Sequence, residues 1–263
     1  MARTSMKNVC MLIKQAENQF PPEISFLNDL KRSIELDDIK NSRKPSQTYK
    51  PSGMKCIRQS YYQITNAEQD PKHSSYTGVG ICNSGTDIHE RIQKAVSNMR
   101  NNGFDCGYID VAWFVKNRNL DYLEIKEQKG METKLYHKDL NISFMCDGII
   151  KYKNHYYILE LKTETSNKWF TRQGVDKYHY NQGIAYSTAL GLNEVIFVYI
   201  SRDTLDMKSY MFNVTDEMKE SMLSYIKECN GYISKKECPP KPENIDKRVC
   251  DYCEYKTQCR KDG

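Results

Sequence analysis

The chain has 263 residues, 39% of them apolar and 28% charged, enough for one sizeable domain with an appendage, and it has no apolar run of about 18 residues that would span a bilayer. The net charge of +5, from 39 basic and 34 acidic residues, permits a nucleic-acid partner without demanding one. The N-terminal stretch MARTSMKNVCMLIKQ has no secretory h-region, which predicts a cytoplasmic protein with reduced thiols, so the 10 cysteines read as metal ligands plus scattered thiols, not as a disulfide framework.

Residues 1–45, with Pro21-Pro22 and the charged stretch NDLKRSIELDDIKNSRKP, read as a helical N-terminal extension. Cys56 opens a short helix, and HSSYTGVGICNSG (73–85) reads as a loop. A helix is expected from Ser84 or Thr86, because Ile88, Ile92, Val96 and Met99 recur at helical spacing before Asn101-Asn102-Gly103, and His89 lies beside that stripe. From 108 to 162 the β-branched and aromatic runs YIDVAWFV, LDYLEIKEQ, ISFMCDGIIKY and HYYILELKT predict strands. A helix over 175–191 closed by Gly191, an apolar strand NEVIFVYISR, and an amphipathic helix over 215–231 stopped at Asn-Gly follow. KKECPPKPENIDKR is linker-like, and no internal repeat is visible. This order predicts an α/β core with a mixed sheet flanked by helices.

CDGIIKYKNHYYILELKT carries the chemistry. Glu160 and Lys162 leave one face of a strand, and a turn at Lys153-Asn154 would bring Asp147 beside Glu160. Paired carboxylates suit Mg²⁺ or Mn²⁺, and an adjacent lysine can serve an attacking water or a charged phosphate. Glu124-Ile125-Lys126, with Asp110 fourteen residues upstream, has the same form but lacks a buried-looking strand. Gln182 and Tyr186 share a helix face. Lys168-Trp169-Phe170 and Arg172 offer charge and stacking for a nucleic-acid strand, or a solvated loop. At the C-terminal end, Cys250, Cys253 and Cys259 form C-x2-C-x5-C, three thiols that want a fourth ligand; Cys238 and Cys229 are rivals to Cys56 for that place, and zinc is an alternative to iron–sulfur.

In that order, His-Glu on a helix, Asp on a strand, E-x-K on the next and Q-x3-Y on a helix resemble the RecB-like branch of the PD-(D/E)xK nucleases, from about Cys56 to Cys259. The glycine usual just before the motif Asp is replaced by Gly148 just after it. The resemblance implies a restriction-endonuclease-like core over 46–235, with His89, Asp147, Glu160 and the Leu161 carbonyl as metal ligands, Lys162 as the catalytic lysine and Gln182 and Tyr186 as accessory catalytic residues. One cysteine before the core and three after it also resemble the iron–sulfur subset, the AddB-type nuclease subunits and CRISPR-associated exonucleases. That implies a 4Fe–4S cluster on Cys56, Cys250, Cys253 and Cys259, clamping segment 236–263 to the core, with Cys10, Cys82, Cys106 and Cys146 as ordinary thiols. The implied activity is a metal-dependent DNA exonuclease acting on single-stranded or frayed ends, in phage recombination or CRISPR adaptation. The alternatives are a non-catalytic nucleic-acid-binding subunit of a repair or adaptation complex, or a zinc-stabilised endonuclease. No G-x-x-x-x-G-K-[ST] motif is present, so unwinding would need a helicase partner; a recombinase or integrase partner would fit the two contexts.

Overall fold

A computed structural model describes residues 21–42, 45–129 and 131–263; Cys10 and the first part of the N-terminal extension lie outside them. Two compact units emerge, one combining residues up to 44 with 72–83 and the other combining 45–71 with 84–263. In the first, helix α1 (Pro22–Lys40) starts on a proline, whose fixed φ suits a first helical position. Asp38 near its end accepts from Ser74 Oγ at 2.6 Å and pairs with Lys72 Nζ at 2.7 Å. No helix among the described residues is long and apolar enough to cross a membrane.

The second unit begins with α2 (Ile57–Ile64), for which Cys56 is the N-cap residue, and includes most of α3 (Tyr76–Asn98). Strands β1 (Cys106–Ile109), β5 (Gly148–Tyr152), β6 (His155–Glu164), β7 (Glu194–Ser201) and β8 (Met207–Asn213) form one sheet in the order β1-β5-β6-β7-β8. Only β6 and β7 pair in parallel, so this sheet is mixed. A second sheet is antiparallel, with β2 (Leu123–Lys129), β3 (Glu132–His137) and β4 (Ile142–Cys146) in sequence order. The β5–β6 hairpin turns at Lys153 and Asn154, with φ of 47° and 65°, the two positive values that a tight two-residue loop requires.

The parallel β6–β7 step needs a crossover, supplied by α5 (Ser166–Thr171) and α6 (Tyr180–Leu190). α6 packs so closely that a Cβ on Gly183 would meet the Phe212 ring at 2.8 Å. The main core joins Ile149, Ile158, Val195, Phe197 and Phe212 to Ala185 and Leu190 of α6 and to Met222 and Ile226 of α7 (Asp216–Lys235). On the other side of the sheet, Ile88 of α3 is buried with Ile150, Leu159, Leu161 and Ile200, and Ile92, Val96 and Met99 pack around them. Each fully buried aliphatic or aromatic side chain contributes about 1.5–3 kcal/mol. The chain ends in α8 (Lys247–Asp251) and α9 (Lys256–Lys261), after the expected irregular tail.

Three expectations are corrected. The run after Ile109 is not strand but helix α4 (Val111–Asn117): Asp110 caps it by accepting the Trp113 N–H at 2.6 Å, and the buried residues Val111, Phe114 and Val115 follow helical spacing. α3 starts at Tyr76, not Ser84, because Ser75 Oγ accepts the Gly78 N–H at 3.1 Å and caps a helix where a loop was expected. α7 does not stop at Asn230-Gly231: Asn230 Oδ1 accepts the Tyr49 hydroxyl at 2.8 Å, and the helix runs on to a left-handed Lys236.

Candidate active site and cysteine cavity

Asp147 is the single residue between β4 and β5, where the chain leaves one sheet for the other. Gly148 pairs with Leu159, so Asp147 stands across from Glu160, as the hairpin predicts. Asp147 Oδ2 accepts the Leu161 N–H at 2.7 Å, and Oδ1 faces His89 Nδ1 at 3.7 Å. Glu160 is 3% exposed; its Oε1 accepts from Lys162 Nζ at 2.5 Å and its buried Oε2 has no partner. Burial pushes the Glu160 carboxyl up to about 7; Lys162 opposes that shift and the Asp147 charge adds to it. At His89, burial favours the neutral ring, but the Asp147 carboxylate and then Glu160 prevail, and the pKa is raised.

An unsatisfied buried polar atom costs about 1–3 kcal/mol, and a charged one more. Glu160 Oε2, buried without a partner on a carboxyl that feels the Asp147 charge, could therefore take a cation, and the all-oxygen-and-imidazole donor set around it suits a hard divalent ion. Glu132, which the sequence reading did not single out, is closer to the motif residues than Glu160 is: one ligand atom each from His89, Glu132 and Asp147 lie within 4.8 Å of one another, a trio that does not include Glu160. Burial, then the Asp147 charge, raises the Glu132 pKa. Gln93, also missed, is buried and donates to the Asp147 carbonyl at 3.4 Å. Its place one turn after His89 was a signal; Glu132, brought in by strand pairing, had none.

Tyr186 is buried beneath the site and donates to the Met145 carbonyl at 2.7 Å, two residues before Asp147, while Gln182 Nε2 donates to the Tyr186 hydroxyl at 3.4 Å. The Glu124-Ile125-Lys126 triplet lies on exposed β2, where Lys126 pairs with Glu124 in solvent. Arg172 and Trp169 are not free to guide a strand: Arg172 is locked to both Glu164 oxygens at 2.6 Å, and Trp169 Nε1 donates to the Tyr199 carbonyl at 3.0 Å. Lys168 pairs with Asp176 at 2.8 Å, and Phe170 is exposed.

Cys56, Cys250, Cys253 and Cys259 line one cavity of about 410 Å³. Cys238 does not line it; its sulfur lies 3.3 Å from the Tyr62 hydroxyl. Cys229 is buried in the main core. Two donors already face the sulfurs: the Tyr255 N–H reaches Cys253 Sγ at 3.4 Å, and Arg58 Nη1 reaches Cys259 Sγ at 3.6 Å. Arg58 is 4% exposed and also donates to the carbonyls of Pro239, Cys259 and Gly263, tying α2 to the tail. Burial, against the Tyr255 N–H and with the neighbouring thiols, pushes Cys253 up to about 11. As thiolates, four sulfurs lining one cavity could hold a cationic centre, and the all-sulfur donor set fits a soft metal or an iron–sulfur group.

No protein-family model matches the sequence, and no curated protein is similar to it. Among solved structures, the chain is similar to SSO0001, with a TM-score of 0.47 at 16% identity over 90% of this chain and 98% of that one. It is similar to LHK-Exo in complex with dAMP, with a TM-score of 0.43 at 9% identity over 72% of this chain and 89% of that one. A further structure of LHK-Exo, an alkaline exonuclease from Laribacter hongkongensis, gives a TM-score of 0.39 at 8% identity over 73% of this chain and 90% of that one.

Proposed function

We propose that the chain is a metal-dependent deoxyribonuclease, an exonuclease acting on single-stranded or frayed DNA ends, with a 4Fe–4S cluster that clamps its C-terminal segment to the core. The observation that carries the reading is the buried Glu160 carboxylate, one oxygen held by Lys162 and the other unpartnered beside Asp147. Asp147, Glu160 and His89, with Glu132, would hold Mg²⁺ or Mn²⁺. The Leu161 carbonyl leaves β6 on the same edge as its N–H, which reaches Asp147, and β5 does not extend to pair with it. When bound, the divalent ion supplies Lewis-acid polarisation of the scissile phosphate.

The chain's own residues do the rest. Asp147, held by the Leu161 N–H, would fix where the divalent ion sits and so where the phosphate is met. Lys162 Nζ, shared with Glu160, hydrogen-bonds the attacking water and the charge growing on the phosphate. Water's oxygen forms a bond to phosphorus as the ester P–O bond breaks; the proton water gives up passes to solvent, and solvent returns one to the departing oxygen. Tyr186 and Gln182 position the β4 end that carries Asp147.

For the cysteines, the ring is wide: among the described residues no three sulfurs lie within 4.8 Å of one another, whereas Zn–S bonds of about 2.3 Å hold sulfurs about 3.8 Å apart. That supports a four-iron group over a single zinc ion. Digestion of end-labelled single- and double-stranded DNA with and without Mn²⁺ tests the activity. Loss of label from single strands only with Mn²⁺, and not with Asp147→Asn, is the expected result. Equal digestion by wild type and variant overturns it.

A further inference from the structure

A second cavity, of about 550 Å³, lies next to the four-cysteine cavity and shares Gln59 and Val249 with it. One wall is the segment from Lys50 to Gln63, which contains Cys56; the other carries Arg248, Tyr252 and Glu254, interleaved with Cys250 and Cys253. Three cations line it, Lys50, Lys55 and Arg248, against one carboxylate, Glu254, which accepts from Gln69 Nε2 at 2.9 Å. The Tyr178 ring organises the cations, with Lys55 Nζ at 5.3 Å and the Arg248 guanidinium at 5.5 Å from its centroid. Asp246 accepts from both the Tyr178 hydroxyl and Arg248, so Arg248 is partly neutralised. Lys55 makes no ion pair among the described residues. Its pKa is lowered by desolvation, against Asp176 and with the positive charges of Lys162 and Lys168. Tyr252 lines the cavity, is 87% exposed, and has no aromatic ring stacked on it among the described residues.

Lys55 of this cavity feels the charge of Lys162 in the candidate active site. Asn181 Nδ2 donates to the Met54 carbonyl, which pins Lys55 next to the helix that carries Gln182 and Tyr186. Several cations lining one cavity with an exposed aromatic ring are what a single strand needs: the backbone takes the charge and each base offers a face to stack. A duplex would present its bases stacked on one another and make no use of Tyr252.

We propose that this cavity is a binding subsite for single-stranded DNA, with Lys55, Lys50 and Arg248 on the phosphates and Tyr252 under a base, and that the four-cysteine centre holds its two walls together. The inference rests on the deoxyribonuclease reading for the identity of the strand. It is tested by binding, with no cleavage required. A fluorescent single-stranded oligonucleotide is titrated with the full chain in Ca²⁺ at several salt concentrations. Tyr252→Ala should raise the Kd roughly 5- to 100-fold, and Tyr252→Trp should restore it. Lys55→Ala should weaken binding and reduce the slope of log affinity against log salt by about 0.7. Iron content and melting temperature report that each variant is folded and loaded. Unchanged Kd and slope in both variants overturn the subsite. Weakening by Lys55→Ala alone also overturns it, because it leaves an anion site without stacking. If the variants bind weakly as expected but wild type leaves labelled DNA intact in Mn²⁺, the subsite stands and the nuclease reading falls. If wild type digests DNA and all variants bind alike, the nuclease reading stands and the subsite falls.

Discussion

Asp147 Oδ2 accepts the Leu161 N–H at 2.7 Å, so the motif carboxylate is bolted to the strand that carries Glu160 and Lys162 on either side of Leu161. The two faces of the site cannot shift independently. Asp147→Asn keeps an acceptor for that N–H but loses the charge; it should fold with little loss of stability and lower cleavage by at least a factor of about 1,000. Asp147→Ala should lose cleavage and also about 1–3 kcal/mol of stability, because the Leu161 N–H is left buried and unpaired. Urea unfolding of the two variants separates the roles: equal stabilities would show that the bond does not brace the site.

Glu132 comes to His89 and Asp147 through strand pairing, not through the E-x-K motif. Glu132→Gln should therefore raise the Mn²⁺ concentration for half-maximal activity, by roughly tenfold, while leaving the rate at saturating Mn²⁺ within a few-fold. Glu124→Gln, in the solvent-exposed triplet, should change neither. A Mn²⁺ titration in which Glu132→Gln overlays wild type would remove Glu132 from the site.

Tyr186 acts through Met145. Its hydroxyl donates to that carbonyl from a fully buried position, against the Phe144 ring 5.1 Å away. Tyr186→Phe keeps the packing and loses one hydrogen bond, which should cost about 1–2 kcal/mol of stability. As a positioning residue it should lower kcat with KM little changed. A rise in KM at constant kcat would instead place the hydroxyl against substrate.

Much of this site was legible because its parts are local. Asp147, Glu160 and Lys162 sit on a hairpin whose turn at Lys153-Asn154 fixes the register from short-range chemistry. What escaped depends on contacts across the fold. Val111, Phe114 and Val115 read equally as strand or helix until Asp110 is seen capping Trp113. Gln93 faces Asp147, and Glu132 faces His89, only after two sheets meet at Asp147. Arg172 and Trp169 looked like a nucleic-acid patch because nothing local reveals that Glu164 and Tyr199 already hold them.

The choice among cysteines is measurable. Cys56 lines the cavity with Cys250, Cys253 and Cys259, and Cys238 does not. Cys56→Ser should lower iron content and visible absorbance and cut the melting temperature, since the centre ties α2 to the tail. Cys238→Ser should keep the visible absorbance and iron content, losing at most the contact with Tyr62. The reverse pattern would move the fourth ligand to Cys238.

His179 makes stability depend on pH. The Tyr199 hydroxyl accepts the Asp176 N–H at 3.0 Å and lies 2.9 Å from His179 Nδ1, so a neutral His179 with a bare Nδ1 can accept its hydrogen. Burial, then the Lys162 charge, lowers the His179 pKa to about 3. In the unfolded chain the ring titrates near 6.5. Above that pH both states are neutral and the contribution is fully present; as pH falls from 6.5 towards 3 the unfolded state takes up the proton first and stability is lost. Between pH 7 and 5 the loss amounts to at most about 2 kcal/mol. Burial also lowers His137, so wild type carries a second slope of the same sign. His179→Gln removes only the first. Urea unfolding across this range should give a flatter pH dependence for His179→Gln than for wild type, with the gap between them closing as pH falls. Parallel curves would mean that His179 takes up its proton as readily in the folded chain as in the unfolded one, and that burial and the Tyr199 contact do not hold it neutral.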